Sequence, residues 1–142
     1  MAIAEQHIED VPTTVLCNTR CHLGEGPAYD VATDTAWWFD ILERRLFEAR
    51  LATRTVGARE AIAHALPVMA SALAFIDDAR QLLAAEDGLY VRSIVDGRLQ
   101  LHWPVEADNP ATRSNDGRAH PSGTFWCSKC DGFLLTLRWP LL

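Results

Sequence analysis

At 142 residues the chain is long enough for one domain with a buried core, and 49% hydrophobic and 23% charged residues are ordinary for a globular protein. The formal net charge of −6, from 13 basic and 19 acidic residues, argues against a nucleic acid or an anionic membrane surface as a partner, since both require a basic face. The chain also lacks the run of about eighteen apolar residues that a membrane-spanning helix needs.

The first ten residues, MAIAEQHIED, are acidic and contain neither the basic nor the apolar region of a secretory signal, so we expect a cytoplasmic protein. Cysteines in that compartment are normally reduced and unpaired. The chain has four, Cys17 and Cys21 in a CxxxC pair and Cys127 and Cys130 in a CxxC pair. A structural zinc site built from the four thiolates is the alternative.

The first elements in chain order are a strand and a turn. Residues 13–17 are β-branched and apolar, which predicts a first strand. The block HLGEGPAYD at 22–30 lacks the third glycine of a dinucleotide-binding loop, so that function is excluded. Its two glycines predict a tight turn that projects the carboxylate of Glu25, and an exposed turn glutamate is the simplest interpretation of that residue alone.

Residues 35–66 contain one clear strand, followed by a stretch that could be either a helix or further strands. Residues 35–41, TAWWFDI, have the aromatic and β-branched composition of a buried strand. Residues 41–66 are rich in Leu, Ala, Glu and Arg, and three apolar residues at helical spacing favour a helix that is interrupted near Gly57. Strands that pair with 35–41 are the alternative.

A clear meander follows from residue 67. Apolar runs cover 69–76, 81–85, 89–95 and 98–103, and the last three of them flank two Asp-Gly turns nine residues apart. Short antiparallel strands at this spacing predict a sandwich, a barrel or a propeller.

Residues 111–126, ATRSNDGRAHPSGTFW, are dense in glycine, proline and polar side chains. The density and the Asn-Asp-Gly sequence predict a loop, and a polar hairpin turn is its simplest interpretation. Loops that carry several charged and hydrogen-bonding groups are also where binding and catalysis concentrate. His120 is expected to be a surface histidine of this loop, and the other four histidines form no cluster in the sequence.

Four sequence blocks resemble one protein family. The run R-S-N-D-G-R-x-H-P-S-G-x-F-W at 113–126 is similar to the central signature of the regucalcin/gluconolactonase/luciferin-regenerating-enzyme family of sugar lactonases. The block LGEGP with Tyr29-Asp30 is similar to the family's N-terminal signature, and WWFDI and LLAAEDGLY match in kind and in order. The resemblance covers roughly residues 14–126, and four blocks in the right order are far more specific than any one of them.

The resemblance implies an all-β fold, a partial six-bladed β-propeller with about two to three blades of antiparallel meander. It also implies strands over 45–50 and 53–60, where propensity favours a helix. We predict strands there, because strand 35–41 needs antiparallel partners within a short reach.

The activity that the resemblance implies is metal-dependent hydrolysis of a sugar lactone, a small cyclic ester, to its aldonic acid. A divalent metal would lower the pKa of a bound water and polarise the carbonyl; calcium or zinc is expected, with magnesium or manganese as alternatives, on oxygen ligands. By matching positions, Glu25 is expected to be a metal ligand, and Arg113 and Asn115 are expected to contact the substrate. Asp116 and Gly117 are expected to shape the turn.

The chain also departs from the family pattern. There the remaining metal ligands and the base come from later blades, so no catalytic residue is expected in this chain, and six blades of about 40–50 residues need about twice its length. We predict a propeller portion over 1–126 and a divergent tail over 127–142, such as a shifted reading frame would produce.

An incomplete propeller has consequences that also leave alternatives open. It would expose a blade face and a strand edge, from which we expect impaired lactonase activity and self-association. The alternatives are a calcium-binding, regulatory protein of the regucalcin kind and a non-functional fragment.

Overall fold

The computed structural model describes residues 13–51 and 60–130, and the backbone of 134–138. All regular structure in these residues is β-strand. The strands are β1 Gly24–Asp30, β2 Thr35–Asp40, β3 Arg45–Arg50, β4 Ile62–Ala65, β5 Ala70–Asp77, β6 Arg80–Ala85, β7 Gly88–Ser93, β8 Leu99–Pro104, β9 Ser114–Ala119, β10 Thr124–Lys129 and β11 Leu134–Arg138. The described residues contain no helix that could cross a membrane.

The strands form three antiparallel meanders that follow one another in the chain. Strands β1 to β4 form the first sheet, β5 to β8 the second and β9 to β11 the third, and every strand pairs with its neighbour in sequence. We call these sheets blade 1, blade 2 and blade 3. The arrangement is a partial β-propeller, as the family resemblance implied.

The core lies between the blades rather than within a single sheet. One cluster joins blade 1 to blade 2 and is centred on Trp37, Phe39, Leu73 and Leu83, which are 0–6% exposed. A second cluster joins blade 2 to blade 3 around Leu82 and Phe125. Burying one apolar face against the next is how propeller blades are stabilised.

Most strands of blades 1 and 2 agree with the sequence. The segment 35–41 forms β2, and 45–50 is strand β3, although helix propensity favoured a helix; every β3 residue pairs with β2. The four apolar runs of 69–103 form β5 to β8. The strand expected over 53–60 falls almost wholly outside the described residues, and the strand that pairs with the other edge of β3 is β4.

Two predictions near the N-terminus are wrong. Residues 13–17 do not form a strand, since only Cys17 makes an isolated bridge there. The block HLGEGPAYD is not a tight turn, because residues 24–30 form β1 and pair with β2. Gly26 has φ 62° and the register shifts between Glu25 and Ala28, so the glycine creates a β-bulge and the strand continues beyond it.

The prediction of a loop over 111–126 is also wrong in its centre. Asn115, Asp116 and Gly117 lie within β9 and do not form a turn, because β10 provides a partner strand for them. The hairpin turn lies further on, where Gly123 (φ 80°) donates its backbone N–H to the His120 carbonyl at 2.9 Å. His120 is exposed in that turn, as expected, and its Nδ1 lies 2.8 Å from Ser122 Oγ.

Candidate functional site

The first strands of the three blades, β1, β5 and β9, lie side by side. A Cβ at Gly26 of β1 would stand 2.0 Å from the Ser71 carbonyl oxygen of β5. From the same residue of β5, Ser71 Oγ donates to Ser114 Oγ of β9 at 2.8 Å, and both serines are fully buried. Arg118 of β9 also reaches β1, where Nη1 donates to the Pro27 carbonyl at 3.4 Å. The three strands therefore surround one axis.

Each of these three strands has a β-bulge at the same level. In β1 residues 26–27 stand opposite Trp38 alone, and in β5 Ser71 is the extra residue between Ala70 and Ala72. In β9 residues 115–116 stand opposite one residue of β10. Bulges redirect side chains and are frequent beside active sites. The close Gly26–Ser71–Ser114 contacts bring the three bulges together in space.

Glu25 immediately precedes the bulge of β1 and pairs with Phe39 of β2. Its side chain is partly buried and forms no hydrogen bond or ion pair with the described part of the chain. A partly buried carboxylate without a protein partner retains all its oxygen lone pairs for a cation or a donor. Glu25 is thus positioned as an acceptor at the level of the three bulges.

Asn115 lies in the bulge of β9, where it is exposed. Its side-chain amide makes no hydrogen bond with another described residue, so both its oxygen and its NH₂ group are available. The contact chain from Gly26 through Ser71 to Ser114 places Asn115 at the level of Glu25, although 90 residues separate the two in sequence.

Arg113 precedes β9 and is partly buried. One of its guanidinium nitrogens, Nη1, donates to the Ser114 carbonyl at 3.1 Å, and its own carbonyl accepts the Cys130 N–H at 3.0 Å. These two contacts hold the backbone of Arg113 and one nitrogen of its guanidinium group. The remaining N–H groups can donate to carbonyl or hydroxyl oxygens.

A buried lysine supports the segment that leads to Arg113, and the sequence did not indicate it. The Lys129 side chain is 1% exposed; its Nζ donates to the Glu86 carbonyl at 2.8 Å and lies 3.8 Å from Glu106 Oε2. Glu106 Oε2 in turn accepts the Thr112 hydroxyl at 2.9 Å. Ser71 and Ser114 were also missed, because a serine within an apolar run or beside a polar motif carries no signal of an interblade contact.

The described residues do not by themselves complete a metal site. They contain no group of three or more His, Cys, Asp and Glu side chains that could hold a metal ion. Glu25 fits one position of an oxygen-ligand set, and a single carboxylate does not retain a divalent ion against water. Any further oxygen ligands of such an ion would have to come from outside the described residues.

The four cysteines do not form the alternative zinc site. All four are free thiols and all are within the described residues, yet none belongs to a metal-ligating group. Cys127 is buried in the core between blades 2 and 3, and burial raises the pKa of its thiol. A buried thiol with a raised pKa is a poor metal ligand, because the thiolate is the form that binds.

Comparison with known proteins identifies the family. The model of the SMP-30/Gluconolactonase/LRE-like region matches residues 23–134, which is most of the chain and includes β1 to β10. The chain belongs to this family. The resemblance drawn from the four sequence blocks is thereby confirmed.

Relatives in the SMP-30/Gluconolactonase/LRE-like family include two proteins named for lactone chemistry. A protein of Rhizobium meliloti, named as a candidate sugar lactone lactonase, is 45% identical over 111 residues, 78% of this chain and 36% of its own length. The pentonolactonase of Haloferax volcanii is 34% identical over 116 residues, 80% of this chain and 36% of its own.

A solved structure supports the fold. The calcium-binding protein regucalcin of Agrobacterium tumefaciens superposes with a TM-score of 0.76 at 44% identity, over 87% of this chain and 45% of that one. The fold is therefore a partial six-bladed β-propeller of the regucalcin type, of which the described residues form three blades. The chain spans about a third to a half of the length of the relatives that it matches.

Proposed function

We propose that this chain supplies the first three blades of a sugar lactonase that hydrolyses the ring ester of an aldonolactone to the aldonic acid. The proposal rests on the three adjacent bulges, at whose level Glu25 and Asn115 both lie without a partner among the described residues. The names of the two lactonase relatives support the substrate class.

Each residue has a separate role in this proposal. Glu25 would supply one oxygen ligand to a divalent cation, with calcium or zinc favoured and magnesium or manganese as alternatives. When bound, such a cation stabilises the charge that develops on the lactone oxygen. Arg113 would orient the lactone by donating to its ring and hydroxyl oxygens, and Asn115 would both donate and accept.

The reaction also needs groups outside the described residues. Water adds to the lactone carbonyl carbon, the bond from that carbon to the ring oxygen breaks, and the ring oxygen takes a proton. The base is expected from a later blade.

We further propose that the protein is cytoplasmic. We also propose that the chain divides into a blade portion over 1–126 and a divergent segment over 127–142.

A second candidate function is calcium binding without hydrolysis. One observation favours it, namely that the regucalcin structure at 44% identity is described as a calcium-binding protein. In that case Glu25 would bind the cation, and Arg113 and Asn115 would have no substrate to contact.

The test is an assay of acid release from glucono- and pentonolactones above the spontaneous rate. It uses the chain itself and the chain joined after residue 126 to the later blades of the Rhizobium meliloti relative, each stripped of metal and then supplied with single cations. The intact relative is the reference. We expect cation-dependent turnover by the joined protein, and an Arg113→Ala or Asn115→Ala change to lower kcat/KM by about 100-fold, as for a donor to the transition state.

Arg98→Ala is the matched control for Arg113→Ala, because Arg98 is 82% exposed on a turn of blade 2 and should leave the rate unchanged. A folded joined protein that binds the cation but releases no acid, beside an active reference, would reject the lactonase proposal in favour of calcium binding. A joined protein that does neither would mark the chain as a non-functional fragment.

A further inference from the structure

Ser114 lies between the two residues that are proposed to contact the lactone, yet its own side chain is buried. It is 1% exposed, whereas Asn115 is exposed and Arg113 is partly buried. This difference agrees with the alternation of an extended chain, in which successive side chains point to opposite faces. Ser114 is therefore turned into the protein while its two neighbours are turned away from it.

The Ser114 hydroxyl makes two hydrogen bonds to blade 2, one with its single proton and one with a lone pair. It accepts from Ser71 Oγ at 2.8 Å and donates to the Ala84 carbonyl at 3.1 Å. Ser71 and Ala84 come from the neighbouring strands β5 and β6, and both are completely buried. Ser71 is also the extra residue of the β5 bulge. We call these two hydrogen bonds the Ser114 link.

The bulge of β9 interrupts the regular ladder, so it needs other contacts to fix it. On the side of β10 it stands opposite Ser128, whose Oγ accepts the Asp116 N–H at 3.2 Å. On the side of blade 2 it is held by the Ser114 link. Arg113 depends on Ser114 directly, because its Nη1 donates to the Ser114 carbonyl at 3.1 Å. A displacement of Ser114 would therefore move the acceptor of Arg113 and the backbone that carries Asn115.

We propose that Ser114 is a positioning residue of the lactonase site. The Ser114 link sets where Arg113 and Asn115 meet the lactone, and Ser114 itself does not touch the substrate. The inference rests on the proposed function. Catalysis by positioning depends steeply on geometry, and a misplacement of about 1 Å costs about 100-fold in rate. A hydrogen bond between two blades can thus control the rate although it lies behind the reacting atoms.

The first measurement uses the 142-residue chain itself. Order parameters from ¹⁵N relaxation report fast motion of the Arg113 Nε–H and of the backbone N–H groups of Arg113 and Asn115. We expect Ser114→Ala to lower all three, with the backbone values falling from about 0.85 towards about 0.6, the values of rigid and flexible segments. A folded Ser114→Ala chain in which both residues remain as ordered as before would overturn the proposal.

Thr35→Val is the matched control. The Thr35 hydroxyl is also buried, accepts from Thr33 Oγ1 at 2.9 Å and donates to the Thr33 carbonyl at 3.2 Å. It lies at the start of β2, away from the bulge, and pairs with Asp30. We expect Thr35→Val to leave the order of Arg113 and Asn115 unchanged. Equal loosening by both substitutions would count against the proposal, because it would indicate general destabilisation.

The second measurement is lactone turnover by the joined protein. Ser114→Ala should lower kcat/KM by about tenfold when Arg113 is present, but by less than about threefold in an Arg113→Ala background, because Ser114 acts largely through that residue. An equal fall in both backgrounds would refute positioning, since a purely structural effect does not depend on Arg113.

Ser71→Ala provides a milder form of both tests, because it removes one bond of the Ser114 link and leaves the bond to Ala84. We expect smaller changes in the same direction, and this variant decides the question if Ser114→Ala does not fold. Failure of the proposed function is recognised separately. A native joined protein that releases no acid rejects the lactonase proposal, whereas the order parameters still show whether the Ser114 link holds Arg113 and Asn115 in place.

Discussion

At the scale of single residues, Gly26 has the most constrained position in the candidate site. Its φ of 62° is in the left-handed region, and a Cβ there would stand 2.0 Å from the Ser71 carbonyl oxygen. Backbone atoms cannot yield at that distance as a flexible side chain can. The second glycine of the LGEGP block therefore permits the contact between blades 1 and 2 that places Glu25 at the bulge.

We expect Gly26→Ala to lower the free energy of unfolding by about 3 kcal/mol or more, from backbone strain and the displacement of β5. Gly97→Ala is the control, because Gly97 has φ 70° but its Cβ would meet only Arg92 Nη2 at 3.7 Å. Gly97→Ala should lower the free energy of unfolding by the backbone strain alone, about 1–2 kcal/mol. Denaturant unfolding of both variants measures the difference, and equal losses would show that the Ser71 contact is unimportant.

The burial of Lys129 tests the proposed division of the chain at residue 126, because Lys129 lies beyond that boundary and yet is part of the core. It lies in the segment predicted to diverge, yet its amine is enclosed by the Glu86 carbonyl and the Glu106 carboxylate. We expect Lys129→Met to destabilise the fold by about 2 kcal/mol, because Glu106 loses its cation and the carbonyl its donor.

Arg98→Met provides the comparison for Lys129→Met. Arg98 is 82% exposed and 3.9 Å from Asp96, so its loss should cost less than about 0.5 kcal/mol. Thermal unfolding of the two variants measures the loss of stability that each substitution causes. If Lys129→Met is as mild as Arg98→Met, residues 127–130 add little to blade 3.

At the scale of elements, Asp40 secures the entry of the chain into β1. Its carboxylate accepts hydrogen bonds from the backbone N–H groups of His22 at 2.7 Å, Leu23 at 3.1 Å and Glu43 at 3.4 Å. Burial opposes its ionisation, but these three amides outweigh burial and hold the pKa below the usual 3.8. Because the pKa is lower in the folded state, this contribution is present above pH 3.8 and is lost as pH falls through the folded value.

We expect Asp40→Asn to reduce stability at neutral pH by about 1–3 kcal/mol, since a neutral amide accepts these bonds less well. The deficit should shrink as pH falls below the usual pKa and disappear below the lower folded pKa, where the native carboxyl is also neutral. Asp78→Asn, at an exposed position in the β5–β6 turn, should have no effect at either pH. Unfolding curves across the acid range test this, and a deficit independent of pH would show that charge is not the cause.

The elements also show which parts of the fold the sequence could predict. Strands β5 to β8 were predictable, because apolar runs and turn residues alternate over short distances. Strand β3 was predicted against its own helix propensity, because the family resemblance implied a strand there and β2 needed a partner. Strands β1 and β9 contain turn-like sequences at Gly26 and at residues 115–117, and pairing with β2 and β10 converts both into bulged strands.

The candidate site was predictable only as a list of residues. The motifs pointed to Glu25, Arg113 and Asn115, but nothing in the sequence indicates that bulges in three blades align. That alignment depends on contacts between distant residues, Gly26 with Ser71 and Ser71 with Ser114. Lys129 was missed for the same reason, since its partners lie 43 and 23 residues away.

At the scale of the whole molecule, the first strands of the three described blades lie around one axis, and Glu25 and Asn115 lie at the level of the three bulges. Glu25 is the residue on which the proposed lactonase function depends most, because it is the only proposed cation ligand among the described residues. Its carboxylate is free of protein partners there, so replacing it should alter cation binding without disturbing the fold.

The most direct measurement is lactone turnover by the joined protein as a function of cation concentration, for the native sequence, Glu25→Gln and Glu60→Gln. Glu60 is an exposed glutamate outside the strands and serves as the control. We predict that Glu25→Gln raises the cation concentration needed for half-maximal turnover by at least about tenfold, as the loss of about 1.4 kcal/mol of binding would do, while Glu60→Gln has no effect. Identical cation dependence in all three proteins would contradict the assignment of Glu25 and the site built around it.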